Sequence, residues 1–287
     1  MILTGFTDEA SSDLNKQIQV TKELAWNYIS ARTIGSANVH EISDQEFDQF
    51  CEQLEIHNIK VAEFGTLIGS WSKRIDSDWE ITLAEINRCI PRMQKLGVKY
   101  ARVMSYAQNN WGEDQAEQER FKRLREIVAR FKDAGLEALH ENCMNYGGFS
   151  ADHTLRLIEE VPDLRLIFDT GNPIFQRDRS KADPQPWQNS YGFYQKVKSH
   201  IAHIHVKDAI MHSEDGEPEY TFPGEGNAQL DLIFTDLKKE NYQGFVAIEP
   251  HMGKVFHLNE ENKKPEYMYE VYKEFGQRFQ TFIEGLN

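Results

Sequence analysis

Four side chains of metal-ligand type close four successive short apolar runs in the second half of this 287-residue chain. Glu141 ends LEALHE, Asp169 ends LRLIFD, His205 lies inside IAHIHV and Glu249 ends GFVAIE. Three carboxylates and one imidazole form an oxygen-rich donor set suited to one divalent ion, manganese by preference, with magnesium, cobalt or zinc as alternatives. Such an ion beside a substrate carbonyl acidifies the adjacent C–H, and a neighbouring carboxylate can then take the proton and give it back. Each residue alone also has a plainer role. Asp169 in FDTGNP suits a turn or helix cap, and a single His205 suits a hydrogen-bonded core. The succession of four ligand types on four strand ends is what points to a site.

The elements that must position these groups repeat as strand then helix, eight times. Predicted strands are Ile2–Phe6, Trp26–Arg32, Ile59–Phe64, Val98–Met104, Leu136–Glu141, Leu164–Asp169, Ile201–Val206 and Gly244–Glu249. Helical spacing of apolar residues marks Leu14–Leu24, Phe47–Leu54 and Phe121–Phe131 between them. Gly97, Gly135, Asn241 and Gly244 fall where a helix should stop before the next strand. The alternation predicts a single α/β domain over residues 1–287, a (β/α)8 TIM barrel of parallel strands. In such a barrel, side chains at the C-terminal strand ends converge on one mouth. Long segments at Gly65–Asp78, Ser105–Ala116, Thr170–Ser190, Lys207–Ala228 and His251–Pro265 put the functional face there. No GxGxxG follows the first strand, so a dinucleotide fold has no support.

Composition narrows the partners. With 32 basic and 46 acidic residues the net charge is −14, which disfavours nucleic acid as a partner. The N-terminal MILTGFTDEA lacks a basic segment before its short apolar run, and no stretch has the length of a membrane span. Cys51, Cys89 and Cys143 are odd in number and widely spaced, which fits free thiols in a cytoplasmic setting. Cys143, two residues after Glu141, either lines the site or is a small buried thiol.

Polar residues flank each ligand and are candidates for substrate binding or for supporting the ligands: His140 and Asn142, Asn172, His203 and Lys207, and His251. Lys207 either offsets oxyanion charge or begins a surface loop. Arg32 and Glu63 close the second and third strands, as an internal pair or as substrate contacts. Trp71 and Trp111 lie on mouth loops, as stacking faces for a substrate or as loop anchors. PGEG, Pro223 to Gly226, reads as a turn shaping the pocket, since Glu225 would repel a phosphate.

The runs LHENCMNYGG, LIFDTGNP, HIHVKD, PGEG and AIEPH, with GFTDEA, NYISAR and VAEFGTLIG, resemble the xylose isomerase-like barrel superfamily. Within it they are similar to proteins grouped as sugar phosphate isomerase/epimerase. The resemblance covers nearly the whole chain, and implies the same barrel and Glu141, Asp169, His205 and Glu249 as metal ligands. It implies that the second histidine of HxH, His205, binds the metal. It also implies that Glu141 and Glu249 are the catalytic pair moving a proton through a metal-stabilised enediolate. The expected activity is a metal-dependent isomerase or epimerase acting on a carbohydrate. Two positions depart from the ketose 3-epimerase branch: Asn172 replaces a histidine and Met211 an arginine. They favour an alternative, a dehydratase or lyase acting on an inosose or 3-keto-glycoside. An apurinic-site endonuclease needs a basic groove and further histidines, whereas His40, His57 and His153 are scattered. A non-catalytic sugar-binding subunit is the remaining alternative. Barrels of this superfamily often associate, so a homo-oligomer is expected.

Overall fold

The computed structural model describes residues 1–212, 217–252 and 264–286. Eight strands form the barrel wall: β1 (Ile2–Gly5), β2 (Tyr28–Ala31), β3 (Lys60–Phe64), β4 (Tyr100–Val103), β5 (Glu137–Glu141), β6 (Arg165–Asp169), β7 (Ile201–Val206) and β8 (Phe245–Ile248). All neighbours are parallel, in the order β1–β8–β7–β6–β5–β4–β3–β2. The two ends, β1 and β2, lie against each other and nearly close the ring. The predicted spans run past the ladder at several ends. Flanking residues such as Trp26 and Met104 continue the apolar pattern and are buried outside it.

Eight helices surround the wall: α1 (Leu14–Glu23), α2 (Asp44–His57), α3 (Trp79–Leu96), α4 (Glu117–Asp133), α5 (Ala151–Glu160), α6 (Ser190–Val197), α7 (Leu230–Lys239) and α8 (Pro265–Gly285). Their boundaries follow from local chemistry. Ser43 caps α2 by accepting from the Glu46 amide while the Glu46 carboxylate accepts from the Ser43 amide, a reciprocal pair that satisfies two otherwise orphaned donors. Gly97 ends α3 at φ +66, a left-handed conformation that carries no Cβ penalty in glycine. The predicted stripes point inward: Phe47, Phe50 and Leu54 of α2 and Leu124, Ile127, Val128 and Phe131 of α4 are all buried against the wall. Inside the barrel, Leu139 and Ile167 form a small apolar layer with Ala202. Glu141 and Asp169 follow two residues further along the same strand faces.

Two antiparallel ribbons not expected from the sequence rise after β2 (Thr33–Ile34 with Ala37–Asn38) and after β7 (Asp208–Ile210 with Glu219–Thr221). Parts of the two predicted mouth loops after β7 and β8, residues 213–216 and 253–263, lie outside the described residues. Among the described residues, no helix is long and apolar enough to cross a membrane.

Candidate active site

The barrel brings the four strand-end groups together. One ligand atom from each of Glu141, Asp169, His205 and Glu249 lies within 4.8 Å of the others, and all four residues are buried. Asp169 divides its carboxylate between two tasks. Oδ1 accepts from the amides of Gly171 at 2.9 Å and Asn172 at 2.8 Å, making the turn that FDTGNP suggested. Oδ2 accepts no hydrogen bond and has the Lys207 ammonium 3.3 Å away. Glu249 Oε2 is similar, with Lys207 Nζ at 3.0 Å. Buried carboxylate oxygens without hydrogen bonds, beside an imidazole and a third carboxylate, fit a divalent cation. Glu141, Asp169, His205 and Glu249 would hold it.

A second set of contacts aims His205. Its Nδ1 faces Glu141 Oε1 at 3.2 Å, inside the ligand ring, while Nε2 faces Glu63 Oε1 at 2.9 Å. Glu63 is fully buried and also meets His203 Nε2 at 2.6 Å and the Ser30 hydroxyl at 2.9 Å. His203 spans from that carboxylate to the Phe245 carbonyl, 3.0 Å from its Nδ1. Both histidines of HxH therefore share the barrel interior, as a two-residue spacing on one strand requires. An Nε2–H donated to Glu63 would leave Nδ1 as the nitrogen free to face a metal.

Arg32 does not pair with Glu63. It reaches across the mouth to Asp8 (3.0 Å), Glu9 (3.1 Å) and Glu249 (2.5 Å). The reason is register. Glu63 lies opposite Ser30, two residues before Arg32, and is taken up by Ser30, His203 and His205, so Arg32 turns to the carboxylates in the turn after β1. Glu9 also fixes His251, accepting from its backbone amide at 2.7 Å and facing its Nδ1 at 2.9 Å. His251 Nε2 is then 3.4 Å from Lys207 Nζ and 4.0 Å from Glu249 Oε1. His251 holds φ +57, a strained left-handed backbone for a non-glycine residue.

Lys207 is a buried part of the site rather than a surface lysine. Its stem packs on Gly171, where a Cβ would stand 2.1 Å from Lys207 Cγ, which explains the glycine in DTGNP. Asn172 points its Oδ1 toward Lys207 Nζ at 3.4 Å. Asn142 ties two strand ends, accepting from the Asp169 amide at 2.7 Å and donating to the Asp169 carbonyl at 3.0 Å. His140 lies elsewhere. As the neighbour of Glu141 on a strand it faces the opposite way, toward Ser105 Oγ at 3.0 Å and against Gly147.

The electrostatics follow from burial set against pairing. Burial raises Asp169 to about 6, although Lys207 opposes the shift. Burial also acts on Glu249, but Lys207, His251 and Arg32 outweigh it and hold that carboxyl well below the usual range. For Glu141, burial is outweighed by Arg102 and His205, and its value falls. Burial would lower His205, yet Glu63 and Glu141 carry it up to about 10. Lys207 stays well above its ordinary value because Asp169 and Glu249 overcome its desolvation. Burial takes His140 down to about 4.

Above the ligands opens a cavity of about 400 Å³, lined in part by Arg32, Asn38, Glu41, Trp71, Arg102 and Cys143. Trp71 stands on its rim, 36% exposed. Trp111 does not line it. Its ring meets Phe149 (centroids 5.5 Å apart) and His153 (6.5 Å), with the Arg179 guanidinium over it, so it anchors its loop. Sequence reasoning missed three contributors: Asp8, Glu9 and Arg102. Asp8 and Glu9 lie in the turn just after the C-terminal end of β1, a signal available in GFTDEA. Arg102 sits inside an otherwise apolar strand, with Nη1 3.4 Å from Glu141 Oε2. An arginine in a strand buried on both faces is itself a clue.

The family model described as xylose isomerase-like TIM barrel matches residues 18–271. This chain belongs to that family. An inosose dehydratase of Clostridium beijerinckii is 23% identical to it over 135 residues, 41% of each chain. The chain thus spans less than half of that curated relative. The probable 3-DHS dehydratase AsbF of Bacillus anthracis superposes with a TM-score of 0.73 at 15% identity, over 98% of this chain and 99% of that one. The IOLI protein, solved with a binding zinc atom, gives 0.73 at 16% identity, over 99% of this chain and 98% of its own. At these identities the structural likeness speaks for the fold. In the xylose isomerase-like TIM barrel family, as here, the mouth of the barrel is where chemistry can be placed by loop variation.

Proposed function

We propose that this member of the family is a divalent-metal-dependent sugar isomerase or epimerase. The observation that carries the reading is the convergence of Glu141, Asp169, His205 and Glu249 within 4.8 Å at the floor of a cavity. A manganese, magnesium, cobalt or zinc ion bound there would polarise a substrate carbonyl and offset the negative charge that develops on it. The remaining steps belong to the chain. Glu141 and Glu249 are kept ionised by Arg102, Arg32 and Lys207, so each can accept a proton from the carbon beside the carbonyl. The C–H electron pair becomes the enediolate, and the proton returns from one of the two glutamates. The Lys207 ammonium, held between Asp169 and Glu249, faces oxygens at the reacting end.

A second reading is dehydration of an inosose or 3-keto-glycoside-type substrate. Lys207 favours it, as a buried ammonium placed to hydrogen-bond a departing hydroxyl and offset its charge. The likeness to an inosose dehydratase also supports it, as do Asn172 and Met211 where the ketose 3-epimerase branch has other residues. Metal-loaded protein in D₂O with ketoses and inososes separates the two by NMR. Deuterium at the carbon beside the carbonyl, with no loss of water, is expected for isomerisation or epimerisation. Deuterium with water loss moves the activity to dehydration, and no exchange with any carbonyl substrate overturns both.

A further inference from the structure

We infer that the mouth takes an uncharged polyhydroxylated carbonyl compound, a keto-sugar or keto-polyol without a phosphate group. This rests on the function proposed above. In TIM barrels a phosphate is frequently held by the loops after the seventh and eighth strands, through backbone amides. Here the loop after β7 carries the glycine-rich turn Pro223–Gly226, and its amides are already committed. Gly224 N and Gly226 N each donate to Asp208 Oδ2 at 3.0 Å, and Ala228 N donates to Oδ1 at 2.9 Å. Ala209 N adds a fourth bond at 3.0 Å. Asp208 is fully buried, and a Cβ on Gly226 would stand 2.2 Å from its Oδ1. The amides of this turn are thus taken by the chain's own carboxylate, and the charge of that carboxylate would repel an anion approaching them.

The side chains give the same answer. Among the described residues, three lysine and arginine side chains line the cavity, Arg32, Arg102 and Lys207. Between them they face five carboxylates: Asp8, Glu9, Glu141, Asp169 and Glu249. A bound divalent cation would offset the two excess negative charges, so these described groups hold no surplus positive charge for a phosphate monoester of about −1.5 to −2. Glu41 on the rim and the overall charge of −14 add repulsion. Hydroxyl groups, in contrast, are well served. The buried donors Asn172 Nδ2 and Arg102 Nε have no hydrogen-bond partner, and both residues line the cavity.

The test compares matched pairs on magnesium-loaded protein: D-fructose against D-fructose 6-phosphate, and D-xylulose against D-xylulose 5-phosphate. Exchange in D₂O is read by NMR, and the melting temperature is followed against inorganic phosphate. The expected result is at least tenfold faster exchange with the neutral partner and no melting shift with phosphate. Faster exchange with the esters, or a saturable rise in melting temperature with inorganic phosphate, would overturn the inference and leave the proposed function standing. If neither member of any pair exchanges, the result counts against the proposed function. The phosphate titration then decides the inference by itself, a flat response supporting it and a saturable rise overturning it.

Discussion

The Glu63 carboxylate lies 2.9 Å from His205 Nε2, on the side of the imidazole away from the ligand ring. It fixes which nitrogen His205 offers to a metal, and His203 and Ser30 fix Glu63 in turn. Glu63→Gln should therefore weaken metal binding by about 10- to 100-fold. Isothermal titration with manganese checks this. An unchanged affinity would mean that His205 is oriented by the strand alone.

Arg32, Lys207 and His251 surround the Glu249 carboxylate. Glu249→Gln should abolish turnover, a loss of about 10²- to 10⁴-fold or more if it is the base, and should weaken metal binding. Steady-state kinetics with a metal titration measures both. Full activity in this variant would remove the proposed site.

Metal addition should stabilise the fold. A ligand that binds only the native state adds about 2.7 kcal/mol at a concentration of 100 Kd. The melting temperature should rise with manganese and return on chelation. In Asp169→Asn, which keeps the shape and removes a ligand charge, the rise should shrink.

Gly171 is the floor on which the Lys207 stem rests. Gly171→Ala should displace Lys207 and cost roughly 1–3 kcal/mol of stability through overpacking. Thermal melting together with kcat/KM reads it. A drop in activity exceeding that of a stability-matched core variant would tie the defect to Lys207.

The two loop tryptophans should separate. Trp71 lines the cavity rim, so Trp71→Ala should raise KM several-fold with little change in melting temperature. Trp111 packs on Phe149 and His153, so Trp111→Ala should leave KM alone and lose about 0.5–1.5 kcal/mol of stability. The reverse pattern would exchange their roles.

Much of this protein is written along the chain because its information is local. Short apolar runs, 3.6-period stripes and glycine stops specify strands and helices one after another, and eight such units leave a parallel barrel as the economical closure. That closure carries Glu141, Asp169, His205 and Glu249 to one mouth, so their convergence was legible before any coordinates. Partnerships across the barrel were not. Whether Arg32 meets Glu63 or Asp8, Glu9 and Glu249 depends on the register of β2 against β3. Whether His140 or Glu141 faces inward depends on strand phase. Trp71 and Trp111 look alike in sequence, yet one lines the cavity and the other packs on Phe149. Asp208 ends the HIHVKD run with no sign that four amides, three of them 16 to 20 residues later, converge on it. Such contacts join segments distant in sequence, and only the folded backbone sets the distances that choose among them.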